Sequence, residues 1–256
     1  MERRTESGGV GGPGLTVAIL SLLFSSAASA ATSGSLFGIS LVDGKGGSSI
    51  GVPMQITVLM TLLALLPAAV MSVTPFLRIS IVLHFLRQAL GTQTVPSNQV
   101  LVGLSLFLTM LVVGPLFSEI HTNAWIPMEQ GSLTQEQAIE AAGKPLKAFL
   151  AKYAREKDIK LFLEISHSPA PRTPNDLDLK VLIPAYIISE LKAGFQIGAV
   201  LFLPFLVIDI VVASVTLSIG MVQLPPVMLS APFKILLFVL VDGWNLLIGS
   251  LIKSFY

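Results

Sequence analysis

The stretch from Ser218 to Trp244, "SIGMVQLPPVMLSAPFKILLFVLVDGW", decides how this chain folds. Almost every residue in it is apolar, yet it carries the double proline Pro225–Pro226 and the charged residues Lys234 and Asp242. Proline in the middle of a sheet removes a ladder hydrogen bond, so a core strand is excluded. A helix also ends where two prolines follow it. The stretch therefore predicts two apolar helices joined by a turn at the double proline.

The composition of the whole chain is that of a membrane protein. Of its 256 residues, 53% are hydrophobic and only 12% are charged, with a mean hydropathy of +0.79. Soluble domains are about 25% charged. The net charge of +1 predicts no nucleic-acid partner. The absence of cysteine excludes disulfides, thiolate metal sites and thiol catalysis.

The first 30 residues are typical of a cleavable signal peptide. Arg3 and Arg4 precede the short apolar run 15–24, and the small residues "ASA" stand at 28–30. This run is too short to cross a hydrocarbon core that needs about 20 residues. Cleavage would leave a Gly/Ser-rich flexible tail, 31–53, in the periplasm. An uncleaved membrane anchor is the alternative.

Three further segments follow from the charge pattern. Two uncharged runs predict a first hydrophobic helical pair over 54–117. The segment 118–180 is polar, with eight basic and nine acidic residues between 119 and 180, and predicts a small helical insert. Apolar character returns in 181–256, the second hydrophobic hairpin. We therefore predict an all-α fold with four long hydrophobic helices in two hairpins.

Orientation follows from the signal peptide and the connecting segments. With the mature N-terminus outside, the first helix enters the cytoplasm. The segment 74–98 then lies on the cytoplasmic side, where its Arg78 and Arg87 fit the excess of basic residues expected there. The insert 118–180 returns to the periplasmic side of the bacterial inner membrane.

Ionisable residues within the apolar segments need partners, because burying an unpaired charge is costly. If the chain folds back at Leu224–Pro225, Lys234 lies level with about residue 215. It is then roughly 9 Å along the helix axis from Asp209, a distance that a lysine barely bridges. We therefore expect the charges to be satisfied by neighbouring subunits or in a polar lumen, with Glu190 in the same inter-subunit role as Asp209, Lys234 and Asp242. The alternative is that Lys234 and Asp242 extend to the membrane edges.

The sequence predicts no enzyme and no cofactor. It contains no HExxH, GxSxG or Walker A motif and no paired metal-ligand spacing. A second class of function, an ion-coupled secondary transporter, would use Asp209 and Lys234 as ligands near the middle of the membrane. An inverted repeat would support that hypothesis, and the sequence shows none.

Four long blocks resemble the signature blocks of the FliP family of type III secretion export-gate proteins. They are "FLRISIVLHFLRQALGTQTVPSNQVLVGLSLFLT" (76–109), "LIPAYIISELKAGFQIG" (182–198), "FLPFLVIDIVVAS" (202–214) and "APFKILLFVLVDGWNLL" (231–247). The signal peptide and the sequence of the last block favour the flagellar branch of this family. The resemblance covers residues 54–256 except the insert.

The resemblance implies a role in flagellum assembly. It implies that several copies assemble with FliQ-like and FliR-like subunits, beside other membrane proteins of the export apparatus, into a helical, cone-like gate in the flagellar basal body. Unfolded flagellar subunits would pass through its channel. In this family a methionine-rich loop before the double proline seals the pore. Here the implied pore-loop residues are Met221, Val222, Gln223, Leu224, Pro225, Pro226 and Met228, with Val222 and Gln223 in place of methionines.

Overall fold

The computed structural model describes residues 52–92, 94–169, 171, 173, 176–221 and 225–256. Its regular secondary structure is helical, and no strand occurs among these residues. The predicted all-α fold class is therefore confirmed. The predicted signal peptide, 1–30, and the predicted tail up to residue 51 lie outside the described residues.

The chain divides into two compact units between Ala64 and Leu65, inside the first described helix. A π-helical turn, His121–Trp125, directly follows the third helix. The helices are α1 Val52–Val73, α2 Phe76–Ala89, α3 Asn98–Ile120, α4 Ile126–Glu129, α5 Gln135–Tyr153, α6 Glu156–Ile165, α7 Leu179–Ser218, α8 Pro226–Leu240 and α9 Gly243–Lys253.

Three stretches in the described part of the chain are long and apolar enough to cross a membrane: Ile56–Val73, Asn98–Glu129 and Leu179–Ser218. The pair α8 and α9 meets the same criteria when it is taken together, although its axis bends by 68° between the two helices. The last of the four predicted hydrophobic helices is therefore a broken one.

Helix α2 was not predicted as a separate element. Its apolar residues recur every three or four positions, and Ile79, Leu83 and Leu86 are fully buried. The main core forms around this face, with contributions from α3, α7, α8 and α9. The second of the two uncharged runs extends over residues 88–118 of the sequence, but its helix begins only at Asn98, because the chain first turns through Gly91 and Pro96.

Helix α7 is the axis of this core. Its 40 residues extend about 60 Å at 1.5 Å per residue. Gly194 and Gly198 lie one turn apart and let α2 approach closely, because a Cβ on Gly198 would lie 2.6 Å from Cγ of Phe85. A Cβ on Gly194 would lie 3.2 Å from Cβ of Ile81. Small residues one turn apart allow the side chains of a neighbouring membrane helix to approach the helix backbone closely.

The insert is helical, as the sequence predicted. Helix α5 begins with a capping box, in which the Thr134 hydroxyl accepts from the Gln137 backbone and the Gln137 side chain accepts from the Thr134 backbone. A second core joins the insert to the start of α7. Its fully buried residues include Leu150, Leu182 and Tyr186. The insert is thus packed onto α7 within the same unit.

Candidate functional site

The connection between α7 and α8 is built by local sequence. Gly220 adopts a positive φ of 80° after the end of α7. The Gly220 amide donates to the carbonyl of Leu217, and the Met221 amide donates to that of Thr216. These two bonds form a Schellman motif, which satisfies the last carbonyls of the helix. Pro226 then occupies the first position of α8, where a missing amide hydrogen costs nothing.

The predicted pore-loop residues surround this connection. Met221 is 42% exposed and Met228 is 73% exposed, while Pro225 is exposed and Pro226 is half-buried. The remaining three predicted residues, Val222, Gln223 and Leu224, lie outside the described part of the chain. The described end of the hairpin therefore presents apolar side chains, including two methionines, on its surface.

One ion pair joins α7 to α8 inside the hairpin. The Lys234 ammonium donates to Oδ2 of Asp209 at 2.6 Å, and the Ser230 hydroxyl donates to Oδ1 of the same carboxylate. Lys234 is only 2% exposed, and Ser230 is fully buried. The expectation that Lys234 and Asp209 barely reach each other within one chain is therefore wrong.

The reason is the length of the turn. Helix α7 ends at Ser218, and α8 begins at Pro226. The two helices therefore pair about three residues earlier in the sequence than a fold-back at Leu224–Pro225 would give. This shifts the register, so that Asp209 faces Lys234 and Phe205 faces Phe238, with ring centroids 6.3 Å apart.

A second ion pair joins α2 to α7. The Arg78 guanidinium binds the Glu190 carboxylate through two bonds, from Nε to Oε2 at 2.9 Å and from Nη2 to Oε1. Arg78 is 7% exposed and Glu190 is fully buried. A bidentate arginine–carboxylate pair is a strong, directional contact. Glu190 therefore has a counter-charge in its own chain, and the premise for predicting it between subunits is also wrong.

The segment after α9 covers this second pair. The Phe255 ring centroid lies 4.2 Å from Cζ of Arg78, and Nη1 of Arg78 donates to the Ser254 hydroxyl at 3.3 Å. The Tyr153 hydroxyl donates to the Phe255 carbonyl at 2.6 Å, which connects the insert to the same cluster. Arg78, Ser254 and Phe255 were not recognised as site residues. The apolar residues at helical spacing around Arg78 were the sequence signal that could have indicated a buried helix there.

The insert contacts α7 one residue away from Glu190. Asp158 accepts from Nη2 of Arg155 and from the Ser189 hydroxyl, each at 2.6 Å. Burial raises the pKa of Asp158, but the hydrogen bonds from Ser189 and Arg155 and the attraction of nearby cations outweigh it. The pKa of Asp158 therefore lies below its ordinary value, and the carboxylate stays charged at neutral pH.

Asp242, the fourth predicted charge, differs from the other three. It is exposed and stands between α8 and α9 with a left-handed backbone, φ 51° and ψ 50°. Its side chain makes no capping hydrogen bond to α9. Within the described residues, no group of three or more His, Asp or Glu side chains is arranged to hold a metal ion.

These features define an all-α membrane protein whose longest helix folds back through a proline turn and carries charges paired inside its own chain. The family model described as the FliP family matches residues 59–251. The chain is 48% identical over 212 residues to the flagellar biosynthetic protein FliP of Pectobacterium carotovorum subsp. carotovorum, covering 83% of this chain and 82% of that protein.

Two further relatives show the same breadth of similarity. The flagellar biosynthetic protein FliP of Bacillus subtilis (strain 168) is 45% identical over 217 residues, covering 85% of this chain and 98% of that protein. The corresponding protein of Borreliella burgdorferi is 43% identical over 216 residues, covering 83% of this chain and 85% of that protein. The chain belongs to the FliP family.

Proposed function

We propose that this chain is a core subunit of the flagellar type III protein export gate, where it forms part of the channel that carries flagellar subunits across the inner membrane. One observation carries the proposal. The family match over 59–251 includes α2, α7 and α8, and with them both internal ion pairs and the double proline.

The geometry of the hairpin suits a gate. When several copies surround one axis, the connection between α7 and α8 becomes a ring of apolar side chains. Such a constriction closes a pore by excluding water. Met221 and Met228 are flexible and polarizable, so they can fill the ring at rest and yield to a passing chain. The predicted residues Val222, Gln223 and Leu224 complete this ring in the proposal.

The two ion pairs hold the hairpin at a fixed register behind this turn. The Asp209–Lys234 pair joins its two helices, and the Arg78–Glu190 pair joins α7 to α2. Directional contacts inside an apolar core favour one register of the packed helices over registers that are shifted along the helix axis. In the proposal they set where each subunit presents its turn.

We propose a homo-oligomer that also includes FliQ-like and FliR-like subunits and acts beside other membrane proteins of the export apparatus. Large apolar faces remain exposed on α3, α7 and α8, including Phe107, Val207 and Phe233 at 67%, 60% and 58% exposure. Surfaces of this kind mark contacts with protein or lipid.

The proposed location is the bacterial inner membrane within the flagellar basal body. The proposed division of the chain remains a signal peptide, a periplasmic tail, a first helical pair over 54–117, a periplasmic insert over 118–180 and a second hairpin over 181–256. Membership of the FliP family does not support the secondary-transporter alternative. Asp209 and Lys234 bind each other in this fold.

The experiment is a deletion and complementation test in the host bacterium. Cells that lack the chain should release no flagellar subunits into the medium and should not swim, and the wild-type chain should restore both. Native mass spectrometry of the chain co-expressed with its FliQ-like and FliR-like partners should show one complex with several copies of it. Normal subunit export in the deletion strain would contradict the proposal.

A further inference from the structure

The Tyr186 hydroxyl is a buried polar group that has no hydrogen-bond partner among the described residues. Tyr186 lies on α7 and is fully buried in the second core, where its ring centroid lies 6.3 Å from that of Phe149. Burying a hydroxyl without a hydrogen bond is destabilising, and a phenylalanine ring would fill the same space without that cost. Apolar packing therefore accounts for the ring of Tyr186 but not for its hydroxyl group.

The Arg78–Glu190 ion pair is the charged neighbour of this hydroxyl. Glu190 follows Tyr186 by one turn of α7, so the two side chains lie on the same face of the helix. Both are fully buried, and Glu190 and Arg78 are charged groups that act electrostatically on the hydroxyl. No direct hydrogen bond joins the hydroxyl to either of them. A water molecule commonly bridges polar groups that are neighbours but lie beyond direct contact.

The ion pair has hydrogen-bonding capacity left for such a bridge. The guanidinium of Arg78 forms three hydrogen bonds to described residues, two to Glu190 and one to Ser254, and a guanidinium carries five N–H donors. Each oxygen of the Glu190 carboxylate accepts one bond from Arg78 and has a further lone pair. The Tyr153 hydroxyl, in contrast, already donates to the Phe255 carbonyl at 2.6 Å. The ion pair therefore offers both a donor and a strong acceptor to a bridging water.

We propose that one water molecule binds between the Tyr186 hydroxyl and the Glu190 carboxylate. The Tyr186 hydroxyl donates to the water, a further N–H of Arg78 donates to it as well, and the water donates to a Glu190 oxygen. Buried waters typically form about three such bonds to groups that otherwise lack partners. A water fits this site better than an ion, because the pair already balances its own charge. The site lies inside one chain and does not depend on the proposed function.

The direct test is a structure of the wild-type chain, alone in detergent or in its complex, at a resolution that shows ordered water. We expect a density peak about 2.5–3.0 Å from both Oη of Tyr186 and a carboxylate oxygen of Glu190. The peak should be missing in the Tyr186→Phe variant. A Tyr186 hydroxyl that binds a protein atom directly, or that lies in a dry site, would overturn the proposal.

Urea unfolding in mild detergent, followed by circular dichroism, measures what the water contributes to stability. Tyr186→Phe should raise the ratio of unfolded to folded chain at a fixed urea concentration by roughly fivefold or more, because the water loses one of its hydrogen bonds. Tyr256→Phe removes an exposed hydroxyl, so it is the matched control and should leave this ratio unchanged. An unchanged or lower ratio in Tyr186→Phe would mean that the hydroxyl has no partner in solution, which contradicts the proposal.

A second background separates the water from any other partner of the hydroxyl. In an Arg78→Met/Glu190→Leu variant the water loses its charged partners, so adding Tyr186→Phe should leave the ratio of unfolded to folded chain unchanged or lower it. The same increase in both backgrounds would overturn the proposal, because the hydroxyl would then bind a group outside the ion pair. Neither measurement involves flagellar export, so a failure of this proposal leaves the proposed function untouched.

Discussion

The buried Arg78–Glu190 pair gives the sharpest prediction about stability. Arg78 is 7% exposed and Glu190 is not exposed at all, so removing either partner leaves the other charge buried without a counter-charge. That loss costs about 3–5 kcal/mol. The loss of stability in Glu190→Ala should lie near the lower end of this range, because the Phe255 ring and the Ser254 hydroxyl still contact the Arg78 guanidinium. Arg78→Met leaves a carboxylate with no such support and should cost at least as much.

The double variant Arg78→Met/Glu190→Leu shows how much of this loss comes from leaving one charge unpaired. Replacing a whole buried pair by apolar residues of similar volume is often neutral or stabilising. We therefore expect the double variant to lie within about 2 kcal/mol of wild type, against a sum of roughly 6–10 kcal/mol for two changes of about 3–5 kcal/mol each.

The assay is urea unfolding of the purified chain in mild detergent, followed by tryptophan fluorescence in a Trp125→Phe background, so that the signal comes from Trp244, whose ring centroid lies 5.4 Å from that of Phe238. Glu164→Gln, an exposed position on α6, is the control and should shift the free energy of unfolding by less than about 0.5 kcal/mol. Additive effects, with the double variant as unstable as the sum of the two single ones, would refute the reasoning.

Further predictions concern packing, pH and processing. Gly198→Ala should lower the free energy of unfolding by about 1–3 kcal/mol, because its Cβ would meet Phe85; Gly103→Ala, with open space around it, should be neutral or stabilising in the same urea titration. Because the folded pKa of Asp158 is lowered, its contribution is complete above the ordinary aspartate pKa of about 3.9 and is lost as the pH falls through the lower folded value. Asp158→Asn should therefore be less stable than wild type at pH 7, and the difference in thermal midpoint should shrink in acid. N-terminal sequencing of the inserted protein should begin after residue 30, and a sequence beginning at residue 1 would contradict the signal peptide.

The parts of the fold that were predictable depend on local sequence. Pro226 starts α8 whatever surrounds it, as the sequence predicted, whereas α7 ends earlier, at Ser218, in the turn that Gly220 makes. The insert was likewise predicted to be helical, and the helical spacing of Leu146, Phe149 and Leu150 within α5 is a signal of that local kind. Such patterns need no knowledge of distant contacts.

The parts that were missed depend on distance and register. Arg78 and Glu190 are 112 positions apart, and nothing local distinguishes a buried arginine from a basic residue in a cytoplasmic loop. The Asp209–Lys234 contact was missed because the turn was placed about three residues too late, which moves the facing positions of an antiparallel helix pair by twice that amount. A small error in a turn therefore hid a buried ion pair.

The most direct test of the gate is whether the connection between α7 and α8 seals the resting membrane. Met221, Val222 and Leu224 should be changed together to alanine in cells that express the gate with its partners and no export substrate, and small-solute uptake and membrane conductance should be measured. We expect a normally assembled complex with a leaky membrane, while replacing exposed Leu66 of α1 by valine should cause no leak. A tight membrane in the triple variant, with assembly intact, would contradict a sealing role and leave this connection as a simple turn.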